Sequence, residues 1–447
     1  MQIHPVVDEG LGNSSYVVDL GDGSGIVIDA FRDPRPYLKI AEREGLTLRL
    51  SLDTHLHADF ISGGRELQAL GATFSLPVGS NPRFAAEAVE GGQQLDLGGP
   101  TLEVIATPGH TPEHLAYLLR DGAIPLALFS GGTLIPGGVA RPDLLGPEHT
   151  DALARAAYQS IHTRLLTLPD DLAVYPTHGP GSFCSTGEGN QRVSTIGQER
   201  AANPLLQVTD EDAFVQLLLQ GLGSYPPYFL RLRDVNQAGP TIYGAHDVVL
   251  PRLTPAQAIE LVETGAQIID PRRLEDFAAG HIPGSLSIAW RAQFATWLGW
   301  LLDETQPIVL VDDPAVDLQE VIRACLSIGH DAIVGVLGAG IDAWREAGLP
   351  TQQVPLVPGD VPAAHFGRQI IDVRQQSEWD RQHISDALHV ELGSFPQLES
   401  GQEAPFLGEP LLLQCGHGER AMTAASLLRQ RNADVAVMVG WSPSPSA

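Results

Sequence analysis

Lysine is nearly absent from this chain. Lys39 is the only one, so positive charge is almost all arginine, and 27 Lys+Arg against 54 Asp+Glu give a formal net charge of −27. A balance that acidic argues against nucleic acid and anionic membrane as partners, because binding to either rests on neutralising phosphates. Cysteine is scarce as well. Cys184, Cys325 and Cys415 stand in distinct sequence contexts and make no disulfide framework, which fits a reducing compartment. No apolar run reaches the length of a membrane span and no secretory leader opens the chain, so a soluble, cytoplasmic protein is expected. What is present is apolar sequence, 43% of 447 residues, enough for more than one core, and the length suggests about three domains.

Five candidate metal ligands fall in three segments: Thr54-His55-Leu56-His57-Ala58-Asp59, Thr107-Pro108-Gly109-His110-Thr111-Pro112 and Pro176-Thr177-His178-Gly179. Each segment follows an apolar, strand-like run, so a sheet edge would gather His55, His57, Asp59, His110 and His178 into one site. Imidazole and carboxylate suit borderline and first-row metals, which makes Fe(II) the expected ion and Zn(II) the alternative. Gly132 stands where a further ligand would be expected.

These segments resemble the metallo-β-lactamase superfamily and, within it, the persulfide dioxygenases, whose motifs read THxHADH, TPGHTPG, FTGDTLFxGDVGRPDL and PxHGxGSxC. This chain has THLHADF (54–60), TPGHTPE (107–113), FSGGTLIPGGVARPDL (129–144) and PTHGPGSFC (176–184). Several motifs in order over about 200 residues are far more specific than a lone HxH. The resemblance implies an αββα sandwich over residues 1–248, with iron on the residues matching His55 and His110 and on an aspartate that Gly132 replaces here. Phe60, where the family has histidine, reads as an apolar plug in a second metal site. By likeness to the superfamily's zinc hydrolases, a single ion on His55, His57 and His110 is expected, with Asp59 and His178 surviving from the second site. Arg141 matches an arginine close to the thiol substrate and would suit a glutathione carboxylate; pairing with Asp143 is the structural alternative. Cys184 matches the family position after HGxGS and reads as structural.

The second half contains a duplication. Ile268-Ile269-Asp270-Pro271-Arg272, followed by Phe277 and Gly280-His281-Ile282, recurs 102 residues later as Ile370-Ile371-Asp372-Val373-Arg374, followed by Trp379 and His383-Ile384. Each copy alternates short apolar strands with helical runs, as a parallel α/β sheet requires. In the second copy the apolar Leu411-Leu412-Leu413 leads to Cys415-Gly416-His417-Gly418-Glu419-Arg420 and then to a helix. Turn amides and a helix N-terminus would stabilise the Cys415 thiolate, and Arg420 would meet an incoming anion. The first copy has Asp312 at that place and no arginine after it, so packing or docking is its expected role, with Cys325 a buried small hydrophobe. The pattern resembles the rhodanese domain, with copies at 253–350 and 360–447, and implies that Cys415 accepts a sulfane sulfur. Residues 225–251 read as a connector, and the closing helix of copy one has no counterpart in the 442–447 tail.

The expected whole is a sulfane-sulfur processing enzyme: a glutathione persulfide dioxygenase-type metal domain joined to a thiosulfate or persulfide sulfurtransferase. Its partners would be small thiols and persulfides, thiosulfate and sulfite, and a homo-oligomer is compatible with the sequence. The alternatives are a mononuclear zinc hydrolase of a thioester, and a sulfur carrier on a degenerate metal-domain scaffold.

Overall fold

Alternation along the strands decides which way each side chain faces in the first half of the chain. In a computed structural model describing residues 1–187, 189–360, 367–398 and 408–441, the chain forms two compact units: Met1–His246 with Leu326–Gly329, and Asp247–Cys325 with His330–Ala447. The first unit has two six-stranded sheets. One runs in chain order through β1 (Gln2–Asp8), β2 (Asn13–Asp19), β3 (Ser24–Ile28), β4 (Thr47–Leu52), β5 (Thr73–Pro77) and β6 (Glu87–Val89). The other runs β12 to β7, from β7 (Gln94–Asp96) through β8 (Thr101–Ala106), β9 (Leu115–Asp121), β10 (Ile124–Gly131) and β11 (Ala173–Pro176) to β12 (Ser194–Thr195).

Tyr16, Val18, Ile26 and Ile28 point one way and pack against Tyr117, Leu119 and Phe129 of the second sheet. Their neighbours Val17 and Val27 point the other way, onto Tyr37 and Ile40 of α1 (Arg35–Glu44) and Leu67 of α2 (Gly64–Ala69). The second sheet repeats the division. Leu118 and Leu128 turn outward onto Ala154, Ala157 and Ile161 of α3 (Pro147–Thr163), beside Ile196 of α4 (Ile196–Ala202) and Phe214 of α5 (Glu211–Gln220). Two sheets face to face with helices outside both make the expected αββα sandwich. The stretch read as a connector is different: it contains α6 (Phe229–Ala238), which buries Phe229, Leu232 and Asn236.

Both repeats fall in the second unit. Copy one runs β13 (Arg252–Leu253), α7 (Pro255–Glu263), β14 (Gln267–Asp270), α8 (Leu274–Ala279), β15 (Leu286–Ser287), α9 (Phe294–Leu301), β16 (Ile308–Val311), α10 (Leu318–Ser327), β17 (Ile333–Leu337) and α11 (Gly340–Glu346). Copy two runs β18 (Leu356–Pro358), β19 (Gln369–Asp372), α12 (Gln376–Arg381), β20 (Leu388–His389), α13 (Phe395–Leu398), β21 (Leu411–Gln414), α14 (Glu419–Arg429) and β22 (Val435–Val439). Their five-stranded parallel sheets share one order, β13-β17-β16-β14-β15 and β18-β22-β21-β19-β20. Side chains repeat too. Asp270 holds Arg272 as Asp372 holds Arg374, and His281 stacks on Phe277 at 3.9 Å as His383 stacks on Trp379 at 3.7 Å. The central strands β16 and β21 are buried along their whole length, as parallel strands covered on both faces must be. The tail at 442–447 lies outside the described residues. Among those described, no helix is long and apolar enough to cross a membrane.

Candidate metal centre and sulfur loop

The five expected ligands do meet at one edge of the sandwich. His55, His57 and Asp59 follow β4, His110 follows β8 and His178 follows β11, and all five are at most 2% exposed. The grouping differs from the expected one. Ligand atoms of His55, His110 and His178 lie within 4.8 Å of one another, whereas His57 groups with Asp59 and His178, and again with Asp29 and Asp53.

Hydrogen bonds to the far side of each ring set the tautomers. His110 Nδ1 lies 2.7 Å from the Arg141 carbonyl, which can only accept, so Nδ1 carries the proton and Nε2 keeps its lone pair. His55 Nδ1 is 2.8 Å from the Thr54 hydroxyl, which itself donates to Asp29, so again Nε2 is left bare. His178 Nδ1 faces the Asn13 side-chain oxygen at 3.1 Å and Asp59 at 3.2 Å. Accordingly His55 Nε2, His110 Nε2 and His178 Nε2 are buried without a partner among the described residues, as are His57 Nδ1 and Asp59 Oδ1. A buried polar atom left unpaired costs about 1–3 kcal/mol, and five in one place fit a cation.

Charge agrees with the tautomers. Burial, reinforced by the neighbouring histidines, pushes His55 well below its ordinary range, and burial with His178 brings His110 down to about 3, so both stay neutral. Burial also works against a charged His57, but Asp29, 3.2 Å from its Nε2, outweighs burial and raises it. Asp29 is a functional residue that the sequence reading missed. It ends the apolar run Gly25-Ile26-Val27-Ile28, the same strand-end signal that flagged the histidines. It holds a left-handed φ of 53°, rare for a non-glycine, and accepts from the Thr54 amide and from the Thr54 and Thr177 hydroxyls.

Helix α6 clamps the ligand loops. Asn236 donates to the His57 and Phe60 carbonyls and accepts from the Ser62 amide, each at 2.9 Å. Arg233 makes a two-pronged pair with Glu113, which also accepts from the Leu56 amide. Phe60 stacks on His57 at 4.1 Å. A cavity of about 370 Å³ is lined by Leu56, Ala58 and Thr111, chain neighbours of the ligands, and by Phe229 and Arg233 of α6; none of the five ligands lines it. A larger one, about 800 Å³, borders Pro136, Glu199 and Leu217 and contains no ligand residue.

Arg141 does not present a free guanidinium to a substrate. It forms a two-pronged pair with Asp143 at 2.7 and 2.8 Å, donates to the Phe183 and Gly223 carbonyls, and lies over the Tyr225 ring at 4.2 Å. The structural alternative describes it, and its backbone carbonyl is what orients His110. Burial pushes the Cys184 thiol far up, so it remains protonated.

In the second unit the strand registers set Asp312 and Cys415 in equivalent places, since Gln267 pairs with Ile308 as Gln369 pairs with Leu411. Cys415 is 2% exposed, and its Sγ accepts the Gly418 amide at 3.1 Å just ahead of α14. Arg420 is not a free anion receptor: it is paired to Glu378 at 2.6 and 2.8 Å. Asp312 of copy one pairs with Arg252.

The sandwich with histidines on its edge, followed by two parallel sheets of one topology, defines a metallo-β-lactamase-type domain joined to rhodanese-type domains. The Rhodanese-like domain family matches residues 254–347 and 362–441. Human mitochondrial persulfide dioxygenase ETHE1 is 31% identical over 191 residues, covering 41% of this chain and 68% of the relative. A hydroxyacylglutathione hydrolase of Shewanella baltica is 32% identical over 258 residues, covering 49% and 84%. A solved metallo-beta-lactamase from Staphylococcus aureus superposes with a TM-score of 0.67 at 28% identity, over 75% of this chain and 98% of that one. The chain therefore belongs to the metallo-β-lactamase superfamily, in the part that holds persulfide dioxygenases and hydroxyacylglutathione hydrolases, and carries two rhodanese-like domains.

Proposed function

We propose that the chain processes sulfane sulfur, with a metal-dependent persulfide-oxidising centre in the first unit and a sulfurtransferase at Cys415 in the second. The observation that carries the reading is Cys415: a buried thiol at a strand end, bonded by the Gly418 amide, in the repeat that keeps its loop. The Gly418 amide and the N-terminal end of α14 direct donors at the Cys415 sulfur. The thiolate attacks the outer sulfur of R–S–SH; the Sγ–S bond forms, the R–S–SH sulfur–sulfur bond breaks, and RS⁻ leaves with the electron pair. Attack by sulfite on the loaded sulfur regenerates the Cys415 thiolate and releases thiosulfate. The reverse sequence uses thiosulfate as donor. Glutathione persulfide is the donor we favour.

In the first unit His55, His110 and His178 would hold the ion, with Asp59 and His57 beside it. The chemistry such an ion supplies when bound is oxygen activation at persulfide sulfur if it is Fe(II), or polarisation of a thioester and its water if it is Zn(II). The chain's own part is positioning: Thr54, Arg141 and Asn13 fix the rings, and α6 fixes the loops. Elemental analysis of protein grown with iron, read beside oxygen uptake with glutathione persulfide, tests this half. Near-stoichiometric iron with uptake is expected. Zinc with thioester hydrolysis gives the hydrolase reading, and a metal-free protein leaves a sulfur carrier. His178→Ala should lower ion content as far as His110→Ala does, and unchanged content would remove His178 from the trio.

A further inference from the structure

Nothing in the backbone forbids a side chain at 132. Gly132 is not among the residues with positive φ, so an L-residue could adopt its conformation. Sterics forbid it instead: a Cβ there would fall 2.8 Å from the Ala140 Cβ and 3.0 Å from His110 Cδ2. The two positions face each other across a hairpin, the Ala140 amide donating to the Gly132 carbonyl at 2.9 Å. The other side of the turn is closed by His114. Its Nε2 accepts the Gly132 amide at 2.9 Å, its Nδ1 lies 3.1 Å from the Thr133 hydroxyl, and its ring stacks on His55 with centroids 4.9 Å apart. The adjacent Gly131 has φ 57°, and a Cβ on it would meet His114 Nε2 at 2.4 Å. The sequence carries the matching exchange: where the pattern quoted above has aspartate and then glycine before Arg-Pro-Asp, this chain has Gly132 and Ala140.

We infer that Ala140 is a positioning residue that closes the place of the missing aspartate, and with His114 locks Gly131 and Gly132 as a turn without side chains against the ligands His55 and His110. The place of that aspartate is therefore filled by apolar volume and backbone, and a carboxylate cannot be restored there by one substitution. This rests on the metal reading of His55, His110 and His178 only for its second readout.

Three variants decide the matter: G132D, A140G and G132D/A140G, compared by thermal melting and by zinc(II) titration against a chromophoric chelator. Overpacking should cost G132D roughly 4 °C or more in Tm, with no tighter zinc binding than the native chain. Adding A140G should recover most of that loss, well beyond any effect of A140G alone, and tighten zinc at least about tenfold over the native chain. If G132D does not fold, rescue of its soluble yield by A140G is the readout. A G132D chain that is fully stable, or one that A140G does not rescue, overturns the inference. A native chain that binds no zinc, with the Tm coupling intact, upholds the steric closure and sinks the metal reading.

Discussion

At the scale of single residues, the two sites are built in opposite ways. The candidate metal site consists of polar atoms left bare: among the described residues, four ring nitrogens whose far sides are held and one oxygen of Asp59 have no partner. The sulfur site consists of a thiol given a partner, the Gly418 amide, while the loop's arginine is spent on Glu378. The difference follows from charge. A cation needs lone pairs, whereas a thiolate needs donors. Cys415→Ser should abolish sulfur transfer from thiosulfate to cyanide, and Cys184→Ser should leave it intact because that thiol lies in the other unit and is buried. Transfer retained in Cys415→Ser would remove the sulfurtransferase reading.

At the scale of elements, α6 ties down the ligand loops. Its ten residues supply Asn236 and Arg233, which reach the backbone of the His57–Ser62 loop directly and of Leu56 through Glu113. Asn236→Ala would leave two buried carbonyls and one buried amide unpaired, a cost of about 2–4 kcal/mol. The expected result is a lower Tm for the first unit together with weaker zinc binding. A conservative Asn236→Asp should restore only the Ser62 contact, since a carboxylate cannot donate to the two carbonyls. If Asn236→Ala melts like the native chain, the clamp is not what holds the loop.

At the scale of the whole molecule, the two proposed chemistries belong to units with separate cores. The first buries its apolar residues between two sheets and under flanking helices, the second in two parallel sheets of common topology. Chelation should therefore act on one of them. An ion at about a thousand times its Kd stabilises the fold that binds it by about 4 kcal/mol. Removing it with EDTA should lower the first unit's melting transition and leave Cys415-dependent transfer unchanged. A chelator that abolished transfer as well would mean that the sites do not work separately.

How much of this was legible before folding depends on how far apart the interacting residues lie. The strand-end histidines, the duplicated Ile-Ile-Asp motif and the Cys415 loop were readable because each is a local pattern whose backbone context is written in its neighbours. The sequence by itself determined the parallel-sheet class of the repeats, since the alternation of short apolar strands with helical runs depends on short-range sterics and burial, and it pointed to the αββα class through motifs that resemble a known family. Only the tertiary structure decided which histidines come within ligand distance of one another, because His55, His110 and His178 follow three different strands. It also decided that Arg141 pairs with Asp143 and Arg420 with Glu378, since these partners come from chain positions brought together by the fold or by a local turn. Likewise Ala140 and His114 meet Gly132 only once the hairpin closes and the ligand loops pack, so nothing in any one segment could reveal that a side chain there has no room.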